Sequence, residues 1–119
     1  MKMPDAVTAL AALAQDTRLA AFRLLVAAGP DGLAAGVIAT RLRVAPATLS
    51  FHLKELANAG LVVARQEGRF VYYAAEFDEM NALLAFLTQN CCAGSGGDCA
   101  PAALVRTRIE RRGRARAIA

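Results

Sequence analysis

A mainly α domain bearing one two-stranded β-hairpin is the fold class that this 119-residue chain predicts. Three observations carry that expectation. Apolar residues recur at helical spacing in several separate stretches. One of these opens at Pro46, closes at Gly60 and places Leu49, Leu53 and Leu56 on a single side. Two runs rich in β-branched and aromatic residues then flank Glu67-Gly68.

The elements follow in order. Residues 7–14 form an Ala- and Leu-rich helix, and Asp16 with Thr17 supplies an N-cap signal for a second helix whose apolar positions are Leu19, Phe22, Leu25 and Val26. Gly29-Pro30-Asp31-Gly32 stops it. A short helix over 35–42 keeps Val37, Ile38 and Leu42 apolar. Arg43-Val44-Ala45 separates it from Pro46, a residue suited to the first turn of a new helix, so two helices meet through a tight turn. The helix after Pro46 turns its leucine stripe toward a core and ends at Gly60. Residues 61–66 and 69–74 pair as a hairpin with Glu67-Gly68 as its turn. From Asp78 to about Asn90 the helical pattern returns, and Met80, Leu83, Leu84 and Leu87 form a stripe that needs a partner. Gly94-Ser95-Gly96-Gly97 reads as a flexible linker before an Arg-rich tail opened by Pro101. The expected organisation is a domain over 1–90 and a Cys-containing flexible segment with its tail over 91–119.

Composition narrows the function classes. Apolar runs are broken by Arg, Asp or Glu before they reach the ~20 residues that span a bilayer, and the N-terminus lacks the charged-then-apolar order of a secretory signal. A cytoplasmic protein is expected. The net charge of +4 invites a nucleic-acid partner, but six arginines between 106 and 116 account for it. Residues 1–99 hold eight basic side chains against nine acidic ones, so the argument for DNA must be local.

It rests on the helix headed by Pro46. With the leucine stripe inward, Ala47, Thr48, Ser50, Phe51, Lys54 and Asn58 point away from the core. Small and hydroxyl side chains near the helix N-terminus allow close approach to a major groove, Lys54 supplies a cation for phosphate, and Phe51 suits a thymine methyl group. Arg65 and Arg69 bracket the hairpin tip, with Arg69 the better placed for backbone or minor groove. The candidate DNA-binding residues are therefore Pro46, Ala47, Thr48, Ser50, Phe51, Lys54 and Arg69. The plain alternative is a small α+β domain with Phe51 half-buried and the arginines merely solvated.

The segment Val44-Ala45-Pro46-Ala47-Thr48-Leu49-Ser50-Phe51-His52-Leu53-Lys54-Glu55-Leu56, followed by Ala59-Gly60-Leu61-Val62, resembles the ArsR/SmtB family of metal-responsive repressors. The resemblance covers about residues 5–90. It implies a winged helix-turn-helix, dimeric, that binds an inverted-repeat operator in double-stranded DNA as a homodimer. It also implies a dimer interface built from the helices near 5–14 and 78–90, with Leu10, Met80, Leu83, Leu84 and Leu87 as its contacts.

Cys91, Cys92 and Cys99, all the cysteines of the chain, fall within nine residues. A bridge between adjacent cysteines is strained, because their Cα atoms lie ~3.8 Å apart against the ~4.4 Å lower limit of ordinary disulfides. Three soft thiolates suit a thiophilic ion that accepts three sulfurs, and As(III) fits best, with Sb(III) as a second ligand. Zinc fits less well, since it takes four ligands and only Asp98 stands beside the cluster. The family's other usual sites, a cysteine pair ahead of the recognition helix or His and Asp in the last core helix, have no counterpart here. The C-terminal cysteines instead resemble those of an arsenic-responsive branch, for which As(III) is the inducer and no organic cofactor is needed. A thiol redox switch and incidental thiols remain alternatives. An enzyme is not expected, because the chain has neither Cys-x-x-Cys nor a Gly-rich anion loop beside a thiol. His52, the sole histidine, is expected to pack or hydrogen-bond rather than to bind metal. The tail arginines either touch flanking DNA or only solubilise the chain.

Overall fold

The computed structural model describes residues 1–95, which form five helices and a three-stranded antiparallel sheet. Cys99 and the Arg-rich tail lie outside the described residues. The chain divides after Phe86 into two units.

Helix α1 (Met3–Leu13) starts ahead of the Ala-rich stretch, with Pro4 in its first turn and the Asp5 carboxylate accepting the Lys2 backbone N–H at 3.4 Å. An acid at that end suits the helix dipole. Helix α2 (Asp16–Ala28) corrects the expected cap. Its N-cap is Gln15, which has the extended backbone a cap requires and whose side-chain oxygen accepts the Arg18 N–H at 2.9 Å. Asp16 falls instead into the first turn, where its charge is favourable.

Helices α3 (Ala35–Leu42) and α4 (Pro46–Asn58) are joined by a turn in which Arg43 takes a left-handed φ of 56°. Leu49, Leu53 and Leu56 are fully buried, together with Leu25 and Ile38, so the expected stripe does face the core. Beyond α4, Gly60 (φ 81°) donates to the Ala57 carbonyl at 2.9 Å and Leu61 to the Leu56 carbonyl at 3.0 Å. This paired closure needs glycine just past the cap and releases the chain directly into the sheet.

Strands β2 (Val62–Glu67) and β3 (Phe70–Ala75) pair in a register that sets Glu67 opposite Phe70. The hairpin turn is thus Gly68-Arg69, one residue later than the sequence suggests. Gly68 has a φ of 64°, whereas Arg69 does not enter the left-handed region. A two-residue loop with glycine at its first position avoids placing Glu67 at positive φ.

A strand the sequence does not announce, β1 (Leu33–Ala34), pairs with Tyr73 and Tyr72 and completes the order β1-β3-β2. Gly32 (φ 73°) makes this pairing feasible, since a Cβ there would stand 2.1 Å from the Tyr73 carbonyl oxygen. Helix α5 (Phe77–Leu87) stops three residues short of the expected Asn90. The chain then turns, with Asn90 and Cys92 at positive φ. Among the described residues no polar or charged residue is buried, so the core itself is wholly apolar.

Candidate nucleic-acid interface

Burying Leu49, Leu53 and Leu56 forces the rest of α4 outward. Pro46, Ala47, Thr48, Ser50 and Lys54 are exposed, and Phe51 is 56% exposed with its ring edge-on to His52 at 5.4 Å between centroids. Phe51 is therefore not absorbed by the core. Pro46 and Ser50 also line a small cleft of about 170 Å³ shared with Ala35, Gly36 and Val71, so the start of α4 and the hairpin adjoin one another.

The N-terminus of α4 has a chemical consequence. Ala45 occupies the cap position and no side chain caps the helix, so the first amides beyond Pro46 are left for an outside acceptor. A phosphate oxygen meets that need. Arg41, in the last turn of α3, and Arg43, in the turn that follows it, are also exposed and add two cations not among the expected DNA-binding residues. Their place between two short helices was the available signal.

The wing arginines differ. Arg65 donates to Glu67 Oε2 at 2.6 Å and to the Asp31 carbonyl at 3.4 Å, and its guanidinium lies 5.1 Å from the Tyr72 ring centre. Arg69, at the exposed turn, has no side-chain hydrogen bond or ion pair among the described residues and can turn to a ligand.

Apolar side chains also face outward on two helices. Met3, Val7 and Leu10 on α1 are exposed at i, i+4 and i+7, and on α5 Leu84 and Leu87 are half-exposed at 50% and 55%. Met80 is partly buried, and Leu83 is buried in the domain's own core. The predicted stripe therefore splits between inside and outside. An apolar groove of about 450 Å³, lined in part by Leu19, Phe22, Leu83 and Leu84, adjoins the outward part.

At the other end, the Cys91 and Cys92 sulfurs stand 3.5 Å apart, and Cys92 takes part in a disulfide. No group of three metal-ligating side chains occurs among the described residues. Cys99 lies outside them.

Comparison with known proteins agrees with this arrangement. Residues 13–65 match a helix-turn-helix domain family. The HTH-type transcriptional regulator YceK of Bacillus subtilis is 32% identical over 73 residues, 61% of this chain and 72% of that protein. HlyU from Vibrio cholerae is 31% identical, with 77% of this chain and 99% of that one covered and a TM-score of 0.61. An ArsR-like transcriptional regulator from Rhodococcus is 26% identical over 95% and 93% of the two chains, with a TM-score of 0.63. The chain belongs to the ArsR family. It is a winged helix-turn-helix transcriptional regulator that binds DNA, not an enzyme, and β2–β3 is its wing. No helix among the described residues is long and apolar enough to cross a membrane.

Proposed function

We propose that the protein is a homodimeric repressor that binds an inverted-repeat operator and is released when As(III), or Sb(III), is captured by Cys91, Cys92 and Cys99. The observation that carries the inducer reading is the clustering of all three cysteines within nine residues, a set of soft sulfur donors that suits a three-coordinate thiophilic ion once Cys92 is reduced. A possible transcriptional regulator for arsenical resistance is 29% identical, with 66% of this chain and 78% of that one covered and a TM-score of 0.58, which supports the same reading.

The homodimer reading rests on the outward apolar stripes of α1 and α5, because soluble monomers rarely expose contiguous apolar surface of this kind. A winged helix-turn-helix domain from Mycobacterium bovis, 26% identical and covering 98% of this chain, is homodimeric. Symmetric pairing would present two α4 helices to successive major grooves.

The test titrates arsenite against the protein bound to a labelled duplex, with Cys91→Ser, Cys92→Ser and Cys99→Ser in parallel. Arsenite should release the wild type, and each variant should need far more. Undiminished release from all three variants would remove the cysteines from the mechanism. A thiol-redox switch at the same cysteines is a second reading, favoured by the disulfide at Cys92. HlyU, a relative, has a structure of its reduced form. Release by mild peroxide, reversed by dithiothreitol, with no response to arsenite would make that reading the correct one.

The DNA face itself is tested by salt. Arg69→Ala should flatten the dependence of log affinity on log salt by about 0.9, the share of one phosphate contact. Arg65→Ala should leave the slope nearly unchanged, since its guanidinium is engaged within the wing. Equal slopes for both variants would take Arg69 off the phosphate backbone.

A further inference from the structure

Arg18 stands near the start of α2 and reaches two other helices. Its Nε donates to the Ala12 carbonyl in the last turn of α1 at 2.7 Å. One of its terminal nitrogens lies 3.2 Å from His52 Nδ1 on α4. A guanidinium has only donors, so His52 must accept, which requires a neutral imidazole protonated on Nε2. The His52 ring meets its neighbour Phe51 edge-on, and Phe51 belongs to the exposed face of α4.

We propose that Arg18 is a positioning residue for DNA reading, which through neutral His52 fixes the recognition helix against the corner of α1 and α2. A protonated His52 offers a donor where an acceptor is needed and sets two cations face to face. Acid therefore opens the contact. The titratable and charged groups around it are few. Arg18 comes from α2, and Glu55, one turn along α4, lines the same cleft as Arg18. From α1 the cleft receives Thr8 among neutral side chains and, through Arg18, the Ala12 carbonyl.

The sign is diagnostic. A histidine that merely lies near phosphate binds DNA better when protonated, whereas this contact makes binding weaker as the pH falls. His52 is the sole histidine of the chain, so its replacement removes every imidazole.

The proposal rests on DNA binding, which the first step of the experiment examines separately. A duplex selected by the wild-type protein from a random-sequence pool at pH 7.5 serves as probe, and its affinity is measured from pH 7.5 to 5.5. Failure to select any duplex would overturn both the DNA reading and this contact. Wild-type affinity should fall about tenfold on acidification, the scale of one charge-assisted hydrogen bond. His52→Asn keeps an acceptor oxygen one bond from Cγ, as Nδ1 is, but cannot be protonated. It should bind within about twofold of wild type at pH 7.5 and show no fall. Arg18→Ala should bind about tenfold more weakly at pH 7.5, with no further fall. If that variant loses its helical signal, the Asn variant still decides the question. Wild-type affinity that stays level or rises in acid, or an Asn variant that falls as the wild type does, overturns the proposal.

Discussion

Replacing Gly32 by Ala is expected to lower the stability of the domain by roughly 3 kcal/mol, whereas the same change at Gly29 should cost only about 1 kcal/mol. Both glycines have positive φ, 73° and 87°, so both substitutions carry the left-handed penalty of an L side chain. Only Gly32 has a neighbour in the way. A methyl group there would lie 2.1 Å from the Tyr73 carbonyl oxygen and 2.8 Å from its carbon, both backbone atoms that no rotamer change can move. The space around Gly29 is open to 4 Å. Relief at Gly32 requires β1 to separate from β3, with loss of the Leu33–Tyr73 and Ala34–Tyr72 pairs. Thermal unfolding followed by circular dichroism measures the difference. At 4–8 °C per kcal/mol, the Gly32 variant should melt more than ten degrees below wild type. Equal losses for the two variants would show that close approach at β3 is not what requires glycine.

If the chain pairs as proposed above, Leu84→Glu is expected to convert dimer to monomer and to weaken binding to a two-half-site duplex by about a hundredfold or more. The second half-site then loses its high effective concentration. The position suits this test because Leu84 is half-exposed, so a carboxylate can be hydrated in the monomer without disturbing the core. In a paired surface the same carboxylate would be desolvated among apolar side chains. Leu83 would not serve, since it is buried in the domain and its replacement would unfold the protein before it informed about assembly. Sedimentation velocity reports the assembly state, and a duplex carrying a single half-site provides the control. An unchanged dimer in both Leu84→Glu and Leu84→Glu/Leu87→Glu would place the interface elsewhere.

The recognition helix was the most legible element. Pro46, the 49/53/56 leucine spacing and Gly60 state its start, inward face and end within fifteen residues, and the structure places these features as that spacing requires. Phe51 stood out because an aromatic side chain opposite a leucine stripe has no core to enter. Other features were harder to read. Arg18 and His52 are 34 residues apart, and neither neighbourhood announces a hydrogen bond between them. Arg65 and Arg69 looked alike as hairpin arginines, yet only the register shows one engaged within the wing and the other at the turn. The cap of α2 moved from Asp16 to Gln15 because which oxygen reaches the Arg18 amide depends on backbone geometry, not on residue preference alone.

Local periodicity and chain punctuation were enough to determine the helices, the paired wing strands and the outward face of the recognition helix. Each of these depends on residues within a few turns of one another, where side-chain direction follows from spacing. Tertiary structure alone decided the two-residue strand β1, the phase of the wing turn, the split of the α5 stripe and the tie from Arg18 to His52. A strand of two residues exists only through its partner, and a leucine faces inward or outward according to which helices pack beside it. An arginine finds its acceptor where the fold brings distant carbonyls and an imidazole within about 3 Å.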